Sequence, residues 1–256
     1  MIPIKTQDEI SIMREVCAMA ATVLARMEKD VAVGMTTYDL DQAGRKYMKE
    51  LGCKSACFNY KVGNSIYPAH TCLSVNEEIV HGIGSIKRCL QEGDVITLDV
   101  CAEYKGYVGD NAKTVIIGNA RDEQDAYLVK HTQAALQEGI QAARPNGRVG
   151  DISHTIQRYL DRHQLGIIRD FVGHGVGASM HEPPQIPNFG RRKTGAKLRA
   201  GMTLAIEPMV SLGSPQTKML DDGWTAVTRD GSTAAHFEHT VLITEDGPEI
   251  ITVPNL

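Results

Sequence analysis

Apolar residues recur at helical spacing from residue 7 to residue 29, QDEISIMREVCAMAATVLARMEK. Ile10, Met13, Val16, Cys17, Met19, Ala20, Val23 and Leu24 follow a three-to-four spacing, which predicts an amphipathic helix. A second helix fits 36–52, with Thr36 or Thr37 near its N-cap and Gly52 as its stop. Residues 53–72 lose the period and read as loop. Strand signals cluster at 94–101 (DVITLDVC) and 106–117 (GYVGDNAKTVII). Helical spacing returns over 122–143, ended by Pro145 and Gly147, and again over 150–164. Strands follow at 202–211, 223–229 and 235–244. The expected class is α+β.

The pattern contains an internal echo. GMTTYDLDQAGRKYMKELG resembles NGRVGDISHTIQRYLDRHQLG, and EGDVITLD at 92–99 resembles AGMTLAIE at 200–207. Each half reads as helices, a loop bearing His-Gly, then strands. This predicts one domain over 1–256 built from a duplicated unit, with halves of roughly 1–120 and 121–256 and a site between them.

Composition narrows the function classes. The net charge of −4 implies no general polyanion-binding surface, so direct nucleic-acid binding is not expected. No apolar run approaches the ~20 residues of a membrane span, and the early charges in MIPIKTQDEISIMREV leave no signal-peptide core. A cytoplasmic location is expected. The six cysteines (Cys17, Cys53, Cys57, Cys72, Cys89 and Cys101) lack CxxC spacing and read as free thiols.

Candidate chemistry sits where carboxylates interrupt apolar strands. Asp99 lies between VITL and VC, and Asp110 follows Gly109. If EYKG at 103–106 is a four-residue hairpin loop, Ala102 pairs with Tyr107 and Asp99 faces Asp110 across the ladder. Directly paired side chains have Cβ atoms roughly 5 Å apart. Two aspartates that close need a shared proton or a cation between them. Glu207 ends GMTLAIE, and Glu238 sits in AAHFEHTVLIT. Any one of these alone reads best as a strand-end cap or salt bridge. Four of them, matched between two halves, point to hard divalent cations, and two closely spaced metals need bridging carboxylates.

FVGHGVGASMHEPPQIP places His174 and His181 seven residues apart. The glycines and prolines argue against a helix, while glycine permits close approach to His174. A neutral imidazole completes a mixed oxygen and nitrogen set. His81, in EEIVHGIG, is the first-half counterpart of His174. His131, His154 and His163 lie on predicted helices and read as surface or core residues. His70, His236 and His239 are undecided by their chemistry.

The ordered set VHGI, LDV, GD, GHGVG…MHEPP, GMTLAIEPM and FEHT resembles that of type I methionine aminopeptidases, dinuclear-metal enzymes of the pita-bread fold. The resemblance spans nearly the whole chain. It implies a curved antiparallel sheet covered by helices in two pseudo-symmetric halves. It also implies hydrolytic removal of N-terminal methionine ahead of a small second residue. By position, Asp99 binds one of two divalent ions (Co, Mn, Fe or Zn) through both oxygens. Asp110 and Glu238 bridge, and His174 and Glu207 hold the other ion. Glu207 also acts as base and proton carrier. His81 and His181 flank the substrate without ligating, the pair of His174 and His181 meeting across it. Cys57, Tyr67, Cys72 and Trp224 line the methionine pocket, with Phe171 beside them.

The partners implied are nascent polypeptide N-termini, met at the ribosome, and the enzyme is expected to be a monomer. Only 25 residues separate His181 from Glu207, which excludes the helical insertion of type II enzymes. One departure is NYKVGNSIYPAHTC, where the loop is about four residues longer than in the bacterial enzymes and Lys61 replaces an expected histidine. An Xaa-Pro peptidase, a creatinase-like hydrolase and a non-catalytic binding protein on the same fold are the competing readings. The first two usually add an N-terminal domain or lose the carboxylates; the third typically loses ligands.

Overall fold

The structure, a computed structural model, describes residues 1–255. Its helices begin where the sequence supplies caps. α1 (Gln7–Asp30) opens on a capping box, with Glu9 N–H donating to Thr6 Oγ1 at 3.3 Å and Thr6 N–H to Glu9 Oε2 at 2.7 Å. α2 (Thr37–Leu51) repeats the device with Thr36 and Asp39, and ends at Gly52 with φ +78°. In α3 (Glu123–Ala142) the Asp122 carboxylate accepts from two backbone N–H groups. α4 spans Val149–Arg162.

Nine strands form one antiparallel sheet. They are β1 (Lys54–Ser55), β2 (Cys72–Val75), β3 (Val95–Tyr104), β4 (Tyr107–Ile116), β5 (Gly173–Gly175), β6 (Glu182–Ile186), β7 (Thr203–Ile206), β8 (Glu238–Ile243) and β9 (Pro248–Ile250). The order is β1-β3-β4-β8-β7-β5-β6, with β2 also paired to β3 and β9 to β8. The seam between β4 and β8 is short, pairing Glu238 with Ala112 and His239 with Asn111.

The β3–β4 hairpin differs from the expected register. Its loop is two residues, not four: Tyr104 pairs with Tyr107, and Lys105 and Gly106 both take positive φ, +51° and +80°. Two successive positive-φ residues match the strand twist better than a wider loop. Asp110 therefore lies opposite Cys101, and Asp99 opposite Ala112. The shift is two residues, so Asp99 and Asp110 still share a face and meet diagonally.

Two expected strands are each broken. Residues 202–211 become β7 and Met209–Ser211, interrupted at Glu207-Pro208. Residues 235–244 become Ala234–His236 and β8, interrupted at Phe237. Pro208 has no N–H to continue a ladder. The two displaced pieces pair with each other and with Gly166–Ile167 in a separate small sheet. Within 223–229 only Ala226–Thr228 is strand.

α1 lies against β3 and β4. Gly109 lets it sit that close, since a Cβ there would come within 2.8 Å of the backbone of Val16 and Cys17. One apolar cluster joins α1 and α2 to β2 and β3, through residues such as Met13, Leu40, Leu73 and Leu98. A second joins α3 and α4 to β7 and β8, through Leu136, Ile156, Leu204 and Val241.

Candidate active site

Strand ends bring the predicted ligands to one place. Asp99 projects from β3, Asp110 from β4 and His174 from β5, while Glu207 follows β7 and Glu238 opens β8. All five are buried and line a cavity of about 170 Å³. His174 is paired to Ala205 on β7, two residues before Glu207. Its Nε2 lies 3.3 Å from Glu207 Oε1 and 3.9 Å from Asp110 Oδ2.

The other ring nitrogen, Nδ1, is 2.9 Å from the Gly175 carbonyl oxygen. A carbonyl only accepts, so Nδ1 carries the hydrogen and Nε2 presents its lone pair to the carboxylates. This is the usual arrangement for an imidazole that will bind a metal.

The electrostatics favour a cation. Burial pushes the Asp110 carboxyl up to about 8, opposed by the Cys101 thiol that donates to it. Asp99 is pushed well up by burial and then by Asp110. Glu238 is pushed well up by burial and then by Asp110, Glu207 and Asp99; Glu207 is raised by burial. Glu238 Oε1 finds no hydrogen-bond partner in the protein. Crowded carboxylates with an unpaired buried oxygen are the donor set that hard and borderline divalent ions require.

Two groups of donors can each close around one ion, Asp99 with Cys101 and Asp110, and Asp110 with His174 and Glu238. Asp110 belongs to both. In each, one atom per residue lies within 4.8 Å of the others.

The remaining predicted residues surround this centre in the same cavity: Cys57, Tyr67, Cys72, His81, Phe171, His181 and Trp224. The Tyr67 hydroxyl donates to the Gly82 carbonyl at 2.8 Å, and its ring meets Trp224 edge-on at 5.2 Å. His81 takes φ +61° and meets Phe171 edge-on at 5.5 Å. Burial pushes both His81 and His174 down to about 4, so both rings are neutral near pH 7.

His174 and His181 are 4.5 Å apart between ring centroids, in edge-on contact. They therefore touch each other, which leaves no gap between the two rings. His181 Nδ1 is 2.7 Å from the Tyr60 hydroxyl. The first residue of β6 is also tied down, since Lys5 Nζ pairs with Glu182 Oε2 at 2.5 Å, both side chains being buried.

Sequence reasoning missed part of the lining. Tyr60, Val62, Cys101, Met180, Met209 and His236 all face the cavity. His236 Nε2 lies 3.5 Å from Glu207 Oε2, and neither ring nitrogen has a hydrogen-bond partner. Its position two residues before Glu238 was the available signal. Of the other undecided histidines, His70 stacks on Phe58 at 4.4 Å and His239 lies 2.8 Å from the Thr252 hydroxyl; neither lines the cavity. His131 and His163 stack at 3.8 Å between α3 and the end of α4, away from it. The six cysteines are free. Among the described residues no helix is long and apolar enough to cross a membrane.

Comparison with known proteins matches this geometry. The model of metallopeptidase family M24 matches residues 11–245. Methionine aminopeptidase 1 of Bacillus subtilis is 44% identical over 252 residues, covering 98% of this chain and 99% of that protein. The crystal structure of methionine aminopeptidase from Thermotoga maritima superposes with a TM-score of 0.94 at 46% identity, covering 99% of this chain and all of that one. The prolidase of Pyrococcus horikoshii shares the fold, with a TM-score of 0.77 at 21% identity over 98% of this chain and 64% of its own.

Proposed function

From the premise that the chain belongs to metallopeptidase family M24, we propose that it removes N-terminal methionine from nascent proteins and peptides as a metal-dependent aminopeptidase of the pita-bread fold. The observation that carries the reading is the convergence of Asp99, Asp110, His174, Glu207 and Glu238 on one buried cavity walled by thiols and aromatic rings.

Asp99, Asp110, His174, Glu207 and Glu238 would hold the divalent metal, two ions in this reading. The place of Asp110 in both donor groups supports its being shared between them. When bound, such ions supply Lewis acidity, which makes water a nucleophile near neutral pH. Glu207 accepts the attacking water's proton and passes it to the leaving amine; its carboxyl sits at the cavity wall beside His174. His181 donates from Nε2 to the scissile amide. That role needs the hydrogen on Nε2, the tautomer in which Nδ1 accepts from the Tyr60 hydroxyl 2.7 Å away.

Cys57, Cys72, Tyr67, Phe171 and Trp224 form the slot for the methionine side chain. An unbranched thioether suits a narrow apolar slot with soft sulfur and aromatic walls. The small second residue follows from the same confinement. Nascent chains are the physiological substrate, met at the ribosome, and the chain works as a cytoplasmic monomer.

The test is direct. Stripping metal with a chelator, restoring Mn, Co or Fe, and assaying Met-Ala-Ser beside an Xaa-Pro peptide should give metal-dependent methionine release from the first only. Release from the Xaa-Pro peptide alone would overturn the assignment.

A further inference from the structure

Cys101 stands at the proposed metal centre itself. It lies on β3 two residues from Asp99, so both side chains leave the same face of the strand. It is also directly paired with Asp110 across the hairpin. Its sulfur is 2.9 Å from Asp110 Oδ1 and 3.7 Å from Asp99 Oδ1, and the residue is buried. Asp99, Cys101 and Asp110 each place a donor atom within 4.8 Å of the other two, which is the span of one cation's coordination shell. A second observation points into the same cavity. Glu238, buried on β8, lines it and has an oxygen with no partner in the protein. The two-residue turn at Lys105-Gly106 is what puts the thiol here, because it sets Cys101 and not Asp99 opposite Asp110.

We infer that Cys101 is a thiolate ligand of the ion held by Asp99 and Asp110, giving that half of the centre a soft donor and a preference for Zn, Fe or Co over Mn or Mg. This deepens the metallopeptidase reading and rests on it. Binding is an exchange without redox change: the sulfur–metal bond forms as the S–H proton leaves to solvent. Thiolate in an otherwise oxygen and nitrogen set moves selectivity toward the softer ions. Cys57 and Cys72 line the same cavity. Neither belongs to a cluster of metal donors among the described residues.

Cobalt reads the ligand directly, apart from turnover. The metal-stripped protein is titrated with Co2+ alone, with oxygen excluded, and its absorption recorded. We expect visible d–d bands together with an intense near-ultraviolet sulfur-to-cobalt charge-transfer band. Cys101→Ser and Cys101→Ala should lose the near-ultraviolet band while keeping d–d bands; Cys57→Ser and Cys72→Ser should keep both. Competition should show the Zn2+ affinity of Cys101→Ser falling at least about tenfold relative to that for Mn2+.

Visible bands without a charge-transfer band in the unaltered protein would overturn the assignment while leaving the metal centre intact, and would do so whether or not the variants fold. A charge-transfer band that survives Cys101→Ser would also overturn it, by placing the thiolate elsewhere. Absence of any cobalt spectrum would overturn both this inference and the metallopeptidase reading.

Discussion

At the scale of single residues, Glu207 carries the sharpest expectation. Glu207→Gln preserves shape but removes the proton acceptor, and methionine release from Met-Ala-Ser should fall by at least about a hundredfold, the lower end of what a general base contributes. Circular dichroism should be unchanged, because the side chain holds none of the core together. Near-full activity in that variant would reassign the base. The carboxylates were legible in the sequence because each breaks an apolar strand, and a charge in such a place demands a partner. Cys101 was not, since a thiol among Val100 and Ala102 breaks no pattern. His236 stayed undecided for the same kind of reason: a histidine near a carboxylate is common, and only its two unpartnered nitrogens distinguish it.

At the scale of elements, the helices were legible almost to the residue from their apolar spacing, and caps explain where they start. Thr6 with Glu9, Thr36 with Asp39 and Asp122 all mark starts that hydrogen bonds bear out. Strand continuity was harder to read. The breaks at Glu207-Pro208 and Phe237 divide apolar runs that a period of two alone would keep whole. The hairpin register was misjudged by two residues, an error that preserves which face each side chain occupies. That is why the site survived it.

Gly109 tests how strictly the helix–hairpin contact is set. Gly109→Ala would push a methyl to within 2.8 Å of the α1 backbone, which cannot rotate away. Overpacking of this kind costs about 1–3 kcal/mol. Denaturant titration should show a lower midpoint, and cobalt titration a weaker site, because Asp110 is the next residue. An unchanged midpoint would mean that α1 shifts freely on the hairpin.

At the scale of the whole molecule, the buried charges set how stability follows pH. In the metal-stripped protein Asp110 has a folded-state value of about 8, far above its unfolded value. A carboxyl raised in this way binds more protons folded than unfolded, so stability falls as pH rises through that window. His81, His174, His236 and His239 are all pushed down to about 4 by burial. They act oppositely, making stability rise with pH up to their ordinary value near 6.5 and adding no slope above it. From pH 6.5 to 8 the histidines add no slope, and four raised carboxyls (Asp99, Asp110, Glu207 and Glu238) act against the single Cys57 thiol, which hydrogen bonds from Cys101 and Cys72 hold well below its ordinary value. The melting temperature of the metal-stripped protein should drop across that interval, and added divalent ion should remove most of the drop. A flat or rising curve without metal would contradict the burial of these carboxylates.

The short seam between β4 and β8 also bears on the protein's own synthesis. Asp99 and Asp110 emerge early, His174 and Glu207 later, and Glu238 arrives last, on the strand that docks against Ala112 and Asn111. More than a hundred residues of chain must be held in reach before that seam closes, and such distant pairings form slowly. A growing copy would pass through a stage with most of its ligands exposed but without Glu238 to complete the set. Metal available during translation would then meet a half-made site, so the ion first captured and the ion finally kept need not be the same.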